Sequence, residues 1–354
     1  MKKMSDLHIQ EIIPLSPPQK IKDDEPVDEQ TLSHISQWRD QIEEIIHRRD
    51  KRILGIVGPC SIHDENAIYE YAERLKVLAD QVKDRMLLVM RAYFEKPRTV
   101  LGWRGLVLDP HLDGSYAIED GIRLARRILL NISKIGVPVG TEMLDPIIPQ
   151  YIDDLVSWSA VGARTAESQV HRNLASGLSV PLGFKNSTSG NLTNAVNAIK
   201  SAGSPASFIG VDPKGMAAVY RTTGNPYCHL ILRGGSNGPN YYEDDVEEAV
   251  MLMEKEGITP SVIIDCSHGN CNKRYYRQRR VLRSVVDQIN LGNSSISGFM
   301  LESYLYEGRQ DVRENQPLAY GVSITDPCIG WDETERIIRK AHEGLIREEE
   351  RWYE

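Results

Sequence analysis

The 354-residue chain has no cysteine framework, no basic excess and no long apolar run. Its five cysteines, Cys60, Cys228, Cys266, Cys271 and Cys328, are an odd set without a CxxC pair. That argues against a disulfide scaffold or a zinc ribbon and points to a reducing, cytoplasmic setting. Acids outnumber bases 50 to 42, for a formal net charge of −8. A general nucleic-acid or membrane-surface binder would show the opposite balance, so small metabolites are the expected partners. No stretch approaches the roughly 18 apolar residues that span a bilayer, and the opening MKKMSDLHIQEIIPL has a basic tip without a sustained apolar core. Also missing are a G-x-x-x-x-G-K-[ST] loop, a G-x-G-x-x-G turn after a strand, a G-x-S-x-G elbow and an H-E-x-x-H helix. Nucleotide hydrolysis, dinucleotide redox chemistry and the common hydrolase layouts lose support accordingly. There is no repeat of fixed period and no low-complexity tract.

What is present is a long alternation. From Arg52 onward, β-rich apolar runs (RILGIVG, RMLLVMR, VPVGTEM, WSAVGAR, PLGFK, SFIGVD, CHLILRG, SVIIDC, GFMLES) alternate with helical stretches. Strand, helix, strand over about 250 residues means a parallel sheet, doubly wound or closed as a (β/α)8 TIM barrel. Nine runs are one too many for the barrel. SFIGVD and AAVYRT flank the turn-like DPKG, so residues 207–222 read as an inserted β-hairpin. Residues 1–50 differ: a polar, proline-containing stretch precedes TLSHISQWRDQIEEIIHRRD, whose apolar residues fall at helical spacing. They read as an N-terminal arm and helix, with the catalytic barrel over 51–354. The barrel's own core should not need this segment, so a subunit contact and a disordered tail are its two expected readings. NKRYYRQRR (272–280) reads as a solvated helix face, and LRGGSNGPN (232–240) as a flexible loop or, alternatively, a cradle of backbone amides for an anion.

Chemistry gathers where these runs end, which favours the barrel, because its strand ends open on one face. GPCSIHD, IIDCSHGN, FMLESY and SITDPCIGW supply Cys60, His268, Glu302 and Asp326. A thiolate, an imidazole and two carboxylates together suit one divalent transition metal ion, whether Mn, Fe, Co or Zn. Other runs end in cations: Arg91, Lys96 and Arg98, then Arg164, Lys185 and Arg233. Like charges facing one cavity repel unless a polyanion neutralises them, so the expected ligand is a phosphate or carboxylate compound.

Taken in order, GPCSIHD, YFEKPRT, GARTAESQ, GFKN, LRGG, DCSHGN, LES and ITDPCIGW span nearly the whole chain. They resemble the type I 3-deoxy-D-arabino-heptulosonate 7-phosphate (DAHP) synthases. The resemblance implies a condensation of phosphoenolpyruvate with erythrose 4-phosphate, the first step of the shikimate pathway. It implies metal ligation by Cys60, His268, Glu302 and Asp326. Phosphoenolpyruvate contacts fall on Arg91, Lys96, Glu142, Ala163, Arg164, Lys185, Arg233 and His268, and Arg98 and Thr99 resemble the site for the sugar's phosphate. Lys96 is the expected proton donor to the developing alkoxide, with Cys60, His268 and Asp326 beside it in the catalytic centre. The resemblance also implies an aromatic amino-acid effector pocket at Pro149, Gln150, Gly177, Leu178, Ser179 and Phe208. The arm of a neighbouring subunit, near Asp6, would complete it in a homodimer or homotetramer. Gly210 stands where relatives inhibited by phenylalanine tend to carry Ser, which favours tyrosine here. Two departures, Tyr304 in place of His and Arg309 in place of Asn, are not themselves implied ligands and bear on substrate-side hydrogen bonding near Glu302. A related barrel synthase using another sugar phosphate, or a sensor that has lost catalysis, are the competing readings.

Overall fold

The computed structural model describes residues 4–313 and 316–346; the first residues of the arm and the last of the barrel segment lie outside the described residues. Nine expected runs and the second hairpin run all form strands: β1 (Ile53–Gly58), β2 (Met86–Arg91), β3 (Val139–Glu142), β4 (Trp158–Val161), β5 (Leu182–Lys185), β6 (Ser207–Val211), β7 (Ala217–Arg221), β8 (Cys228–Leu232), β9 (Val262–Asp265) and β10 (Ile296–Glu302). Eight of them close into a parallel barrel in the order β1-β10-β9-β8-β5-β4-β3-β2, and β6 pairs antiparallel with β7 outside it. The TIM barrel and the inserted hairpin are therefore as expected.

Strand alternation sorts the apolar residues. Leu54 and Ile56 of β1 join Val89, Trp158, Ile231, Ile263 and Met300 in an interior cluster, whereas Ile53 and Val57 belong to the layer beneath the helices. Two helices precede the barrel, α1 (Pro18–Asp24) and α2 (Glu29–Ile46). Asp28 caps α2 by accepting from the Thr31 N–H at 2.8 Å. The interior cluster also contains Ile42, Ile45 and Ile46 of α2, which are 0%, 0% and 4% exposed. Because α2 ends just before β1 begins, these isoleucines close the barrel at its amino end. The expectation that the barrel core would do without this segment does not hold: α2 supplies the plug.

The outer layer consists of α3 (Glu65–Val82), α4 (Ile118–Ile135), α5 (Pro149–Ile152), α6 (Gln169–Ala175), α7 (Thr193–Ala202), α8 (Glu243–Lys255), α9 (Gln278–Asn290) and α10 (Trp331–Gly344). None of the helices among the described residues is long and apolar enough to cross a membrane. The arm packs on its own chain as well: Ser16 bonds Glu119, and the Gln19 N–H donates to the Pro213 carbonyl at the hairpin turn.

Candidate active site

At the carboxyl end of the barrel a cavity of about 1050 Å³ is lined by Arg91, Lys96, Arg98, Thr99, Glu142, Ala163, Arg164, Lys185, Arg233, His268, Glu302 and Asp326. Strand register explains the convergence. Arg91, Glu142, Lys185 and Glu302 are the last residues of β2, β3, β5 and β10, and Arg233 directly follows β8. Gly58 pairs with Glu302, so Cys60, two residues further on, emerges beside that carboxylate. A buried thiol and two carboxylates, Cys60, Glu302 and Asp326, place ligand atoms within 4.8 Å of one another. His268 joins at the edge, with Nε2 3.7 Å from Glu302 Oε1.

This donor set fits a divalent ion. Sulfur and oxygen donors with an imidazole alongside match the ligands of borderline transition metals. Burial, reinforced by the Glu302 charge, pushes the Cys60 thiol up, although the Lys96 ammonium sits 3.0 Å from its sulfur. Burial opposes ionisation of Asp326 too, but Lys96, His268 and Arg91 outweigh it and hold that carboxyl below its usual range. Crowded sulfur and oxygen donors, with Cys60 and Glu302 buried and Asp326 exposed to the cavity, are what a dication relieves.

The cationic half is equally ordered. Arg91 is 1% exposed; it donates to Glu302 Oε1 at 3.0 Å and to the Pro59 carbonyl at 3.0 Å. Its guanidinium carbon lies 3.6 Å above the Tyr93 ring, with the Lys96 and Lys185 ammonium groups 5.3 and 5.8 Å from the same centroid. Gathering cations around one aromatic ring attenuates their mutual repulsion. Arg98 and Thr99 stand exposed on the loop after β2, Arg98 donating to the Trp103 carbonyl at 2.8 Å. Glu142 Oε1 is buried without a partner, and a Cβ on Gly162 would come within 2.3 Å of it, so glycine at 162 leaves that oxygen its room.

Some residues escaped the sequence reading. Asp265, the last residue of β9, is fully buried against His268 and Lys185. Burial would raise its pKa, yet His268, Lys185 and Ser267 hold it well below the usual range. It stands in the DCSHGN block three residues before the histidine, the signal that could have found it. Tyr93 and the buried Glu95 belong here as well. Two expectations need correction. LRGGSNGPN is no loose loop: Ser236 N–H bonds the Thr188 carbonyl, Gly234 N–H bonds Asn240, and Gly235 lies so close to Ser189 that a Cβ would not fit. NKRYYRQRR is a solvated helix face only in its second half, where Arg279 and Arg280 are exposed on α9; it begins as a turn, with Asn272 and Lys273 at positive φ, and Lys273 and Tyr275 line the cavity. Tyr304 is fully buried beneath the site, while Arg309 reaches the cavity wall.

A second cluster lies beneath the hairpin. Phe208 stacks on Tyr220 with centroids 5.3 Å apart, and the Tyr220 hydroxyl donates to Gln150 Oε1 at 3.3 Å. Gly177 and Gly210 approach these rings: a Cβ on Gly210 would stand 3.0 Å from Tyr220 and one on Gly177 3.7 Å from Phe208. Pro149 starts α5, and Leu178 and Ser179 follow α6. Asp6 lies on the exposed arm. Tyr220 is the member the sequence reading missed.

The comparisons with known proteins agree with this geometry. The family model described as DAHP synthetase I family matches residues 24–339. The chain is 49% identical to the Tyr-sensitive phospho-2-dehydro-3-deoxyheptonate aldolase of Escherichia coli (strain K12), covering 97% of this chain and 96% of that one. It is also 49% identical to the Trp-sensitive enzyme of the same strain, over 89% and 90% of the two chains. Its fold matches the solved structure of phospho-2-dehydro-3-deoxyheptonate aldolase from Francisella tularensis SCHU S4 with a TM-score of 0.93 at 43% identity, covering 95% and 98%. A parallel barrel whose mouth divides into a cationic half and a donor cluster, matched by a family model across most of its length, belongs to the DAHP synthetase I family.

Proposed function

We propose that the chain is a DAHP synthase that condenses phosphoenolpyruvate with erythrose 4-phosphate, giving DAHP and inorganic phosphate. The observation that carries this is the division of one cavity between cations and metal-type donors, which suits two anionic substrates, one of them an aldehyde. Arg164, Lys185 and Arg233 would hold the phosphate and carboxylate of phosphoenolpyruvate, with Arg91 and Lys96 beneath them. Arg98 and Thr99 would take the sugar phosphate, setting the aldehyde carbon against C3 of the enol. Cys60, His268, Glu302 and Asp326 would hold one divalent ion (Mn, Fe, Co or Zn). When bound, such an ion supplies Lewis acidity toward the aldehyde oxygen. Lys96, whose ammonium lies 3.0 Å from the Cys60 sulfur, would give a proton to that oxygen as the C–C bond forms. Water adds at C2, and the phosphate then leaves.

The Phe208–Tyr220 cluster with Gln150, Gly177 and Gly210 supports an aromatic amino-acid effector there. Gly210, where relatives inhibited by phenylalanine tend to carry Ser, favours tyrosine as that effector, with Asp6 of a neighbouring subunit completing the pocket in a homodimer or homotetramer. The test follows loss of the phosphoenolpyruvate enol absorbance with erythrose 4-phosphate, using chelated protein with and without Mn²⁺, and then with each aromatic amino acid. Metal-dependent consumption inhibited by tyrosine is expected. Full turnover after exhaustive chelation would refute the metal assignment, and selective inhibition by phenylalanine would refute the effector.

A further inference from the structure

Between the two halves of the site lies a buried carboxylate to which the proposed chemistry assigns no role. The Asp265 side chain is 1% exposed; its Oδ2 is 2.9 Å from His268 Nδ1 and 3.3 Å from Lys185 Nζ. Its Oδ1 accepts from the Ser267 N–H at 2.9 Å and the Ser267 hydroxyl at 2.6 Å. That hydroxyl also lies 2.7 Å from His268 Nδ1. A single oxygen thus serves an imidazole of the donor cluster and an ammonium of the cationic half, and His268 itself is held at φ 52. An unpaired buried carboxylate is costly, so each partner matters to how firmly the other is held.

We propose that Asp265 is a positioning residue that couples the two halves, so that a cation on His268 Nε2 and an anion on Lys185 each raise the affinity for the other. The inference rests on the assignment of the metal ion and phosphoenolpyruvate made above. A cation on Nε2 makes Nδ1–H a stronger donor, which draws the charge of Oδ2 toward the imidazole. Lys185 then loses part of its counter-charge and meets an incoming anion with less of its own charge neutralised. In the other direction, an anion on Lys185 relieves Oδ2 of its second partner and leaves it to orient His268. Linkage requires the two effects to be one factor, since whatever the metal does to phosphoenolpyruvate affinity the substrate does to metal affinity.

Direct attraction between the ion and the substrate would also couple them, so the test compares variants. Full-length chelated protein is titrated with Co²⁺, followed by thiolate-to-cobalt absorption, with and without phosphoenolpyruvate. Phosphoenolpyruvate binding is measured by calorimetry with and without Co²⁺. Asp265→Asn is expected to weaken Co²⁺ binding about 10- to 100-fold and to shrink the coupling factor several-fold, with circular dichroism unchanged. Ser267→Ala touches the imidazole side but not Lys185, and is expected to weaken Co²⁺ binding while keeping the coupling. An undiminished coupling factor in D265N would overturn the proposal, leaving Asp265 a support for His268 alone; equal loss in S267A would do the same. If D265N does not fold, D265E decides: a longer carboxylate cannot keep both the 2.9 Å contact to His268 and the 3.3 Å contact to Lys185, so a diminished coupling factor supports the proposal and an undiminished one overturns it. Wild-type protein that binds neither Co²⁺ nor phosphoenolpyruvate would remove the underlying assignment, a failure separable from that of the coupling.

Discussion

Replacing Arg91 by methionine should destabilise the metal-free protein severely and make it depend on metal for its stability. The Arg91 and Glu302 side chains are 1% and 4% exposed and meet at 3.0 Å. Arg91 also satisfies the carbonyls of Pro59 and Cys60, at 3.0 and 3.3 Å. Methionine fills much of the same volume but leaves Glu302 buried without its ion-pair partner, the His268 imidazole standing 3.7 Å away. Removing one partner of a buried ion pair costs about 3–5 kcal/mol, because the remaining charge is uncompensated. The same change removes a cation from beside the donor cluster, so metal affinity should rise. Each tenfold gain in affinity adds about 1.4 kcal/mol to the stabilisation that saturating metal confers. Urea unfolding of wild type, R91M and R91M/E302Q, each chelated and each with excess Mn²⁺, measures both effects. R91M should lose about 3–5 kcal/mol without metal, show a larger metal-induced shift than wild type, and regain part of its stability when Glu302 is also neutralised. A chelated R91M within about 1 kcal/mol of wild type, or a metal-induced shift no larger than the wild-type one, would refute the reasoning.

Glu95 gives a pH dependence of defined sign. Burial, with a smaller push from Asp145, moves its pKa up from 4.5 to about 8. The folded state therefore keeps a proton that the unfolded chain gives up. The stabilisation is complete below about 4.5 and falls by about 1.4 kcal/mol per unit as pH rises toward 8. Glu95→Gln should flatten that decline, and urea midpoints of both proteins at pH 5 and pH 8 would show it; parallel declines would contradict it. Gly210→Ser should shift inhibition from tyrosine toward phenylalanine, because its Cβ would already stand 3.0 Å from Tyr220 and 3.4 Å from Phe208. A dose series with each amino acid reads this directly, and unchanged tyrosine sensitivity would place the effector elsewhere.

Much of this protein could be read from its sequence, because the signals are local. Runs such as RMLLVMR and SVIIDC announce strands by β-branched and apolar content, and polar groups after each run announce the open face of a barrel. Cys60, Glu302, Asp326, Lys185 and Arg233 were nominated by that placement alone. What only the tertiary structure decided concerns partners far apart in the chain. The plugging of the barrel by Ile42, Ile45 and Ile46 depends on where α2 is carried, since its helical periodicity predicts a buried face but not what covers it. Asp265 stands between Lys185 and His268 because β5 and β9 both flank β8 in the closed sheet, an adjacency no spacing in the sequence expresses. Tyr93 reads as one more aromatic after a strand until folding brings three cations around its ring. Residue type and strand position determined which chemistry is available. Barrel closure decided which charges face each other, and with them which are paired, which are strained and which are left for a ligand.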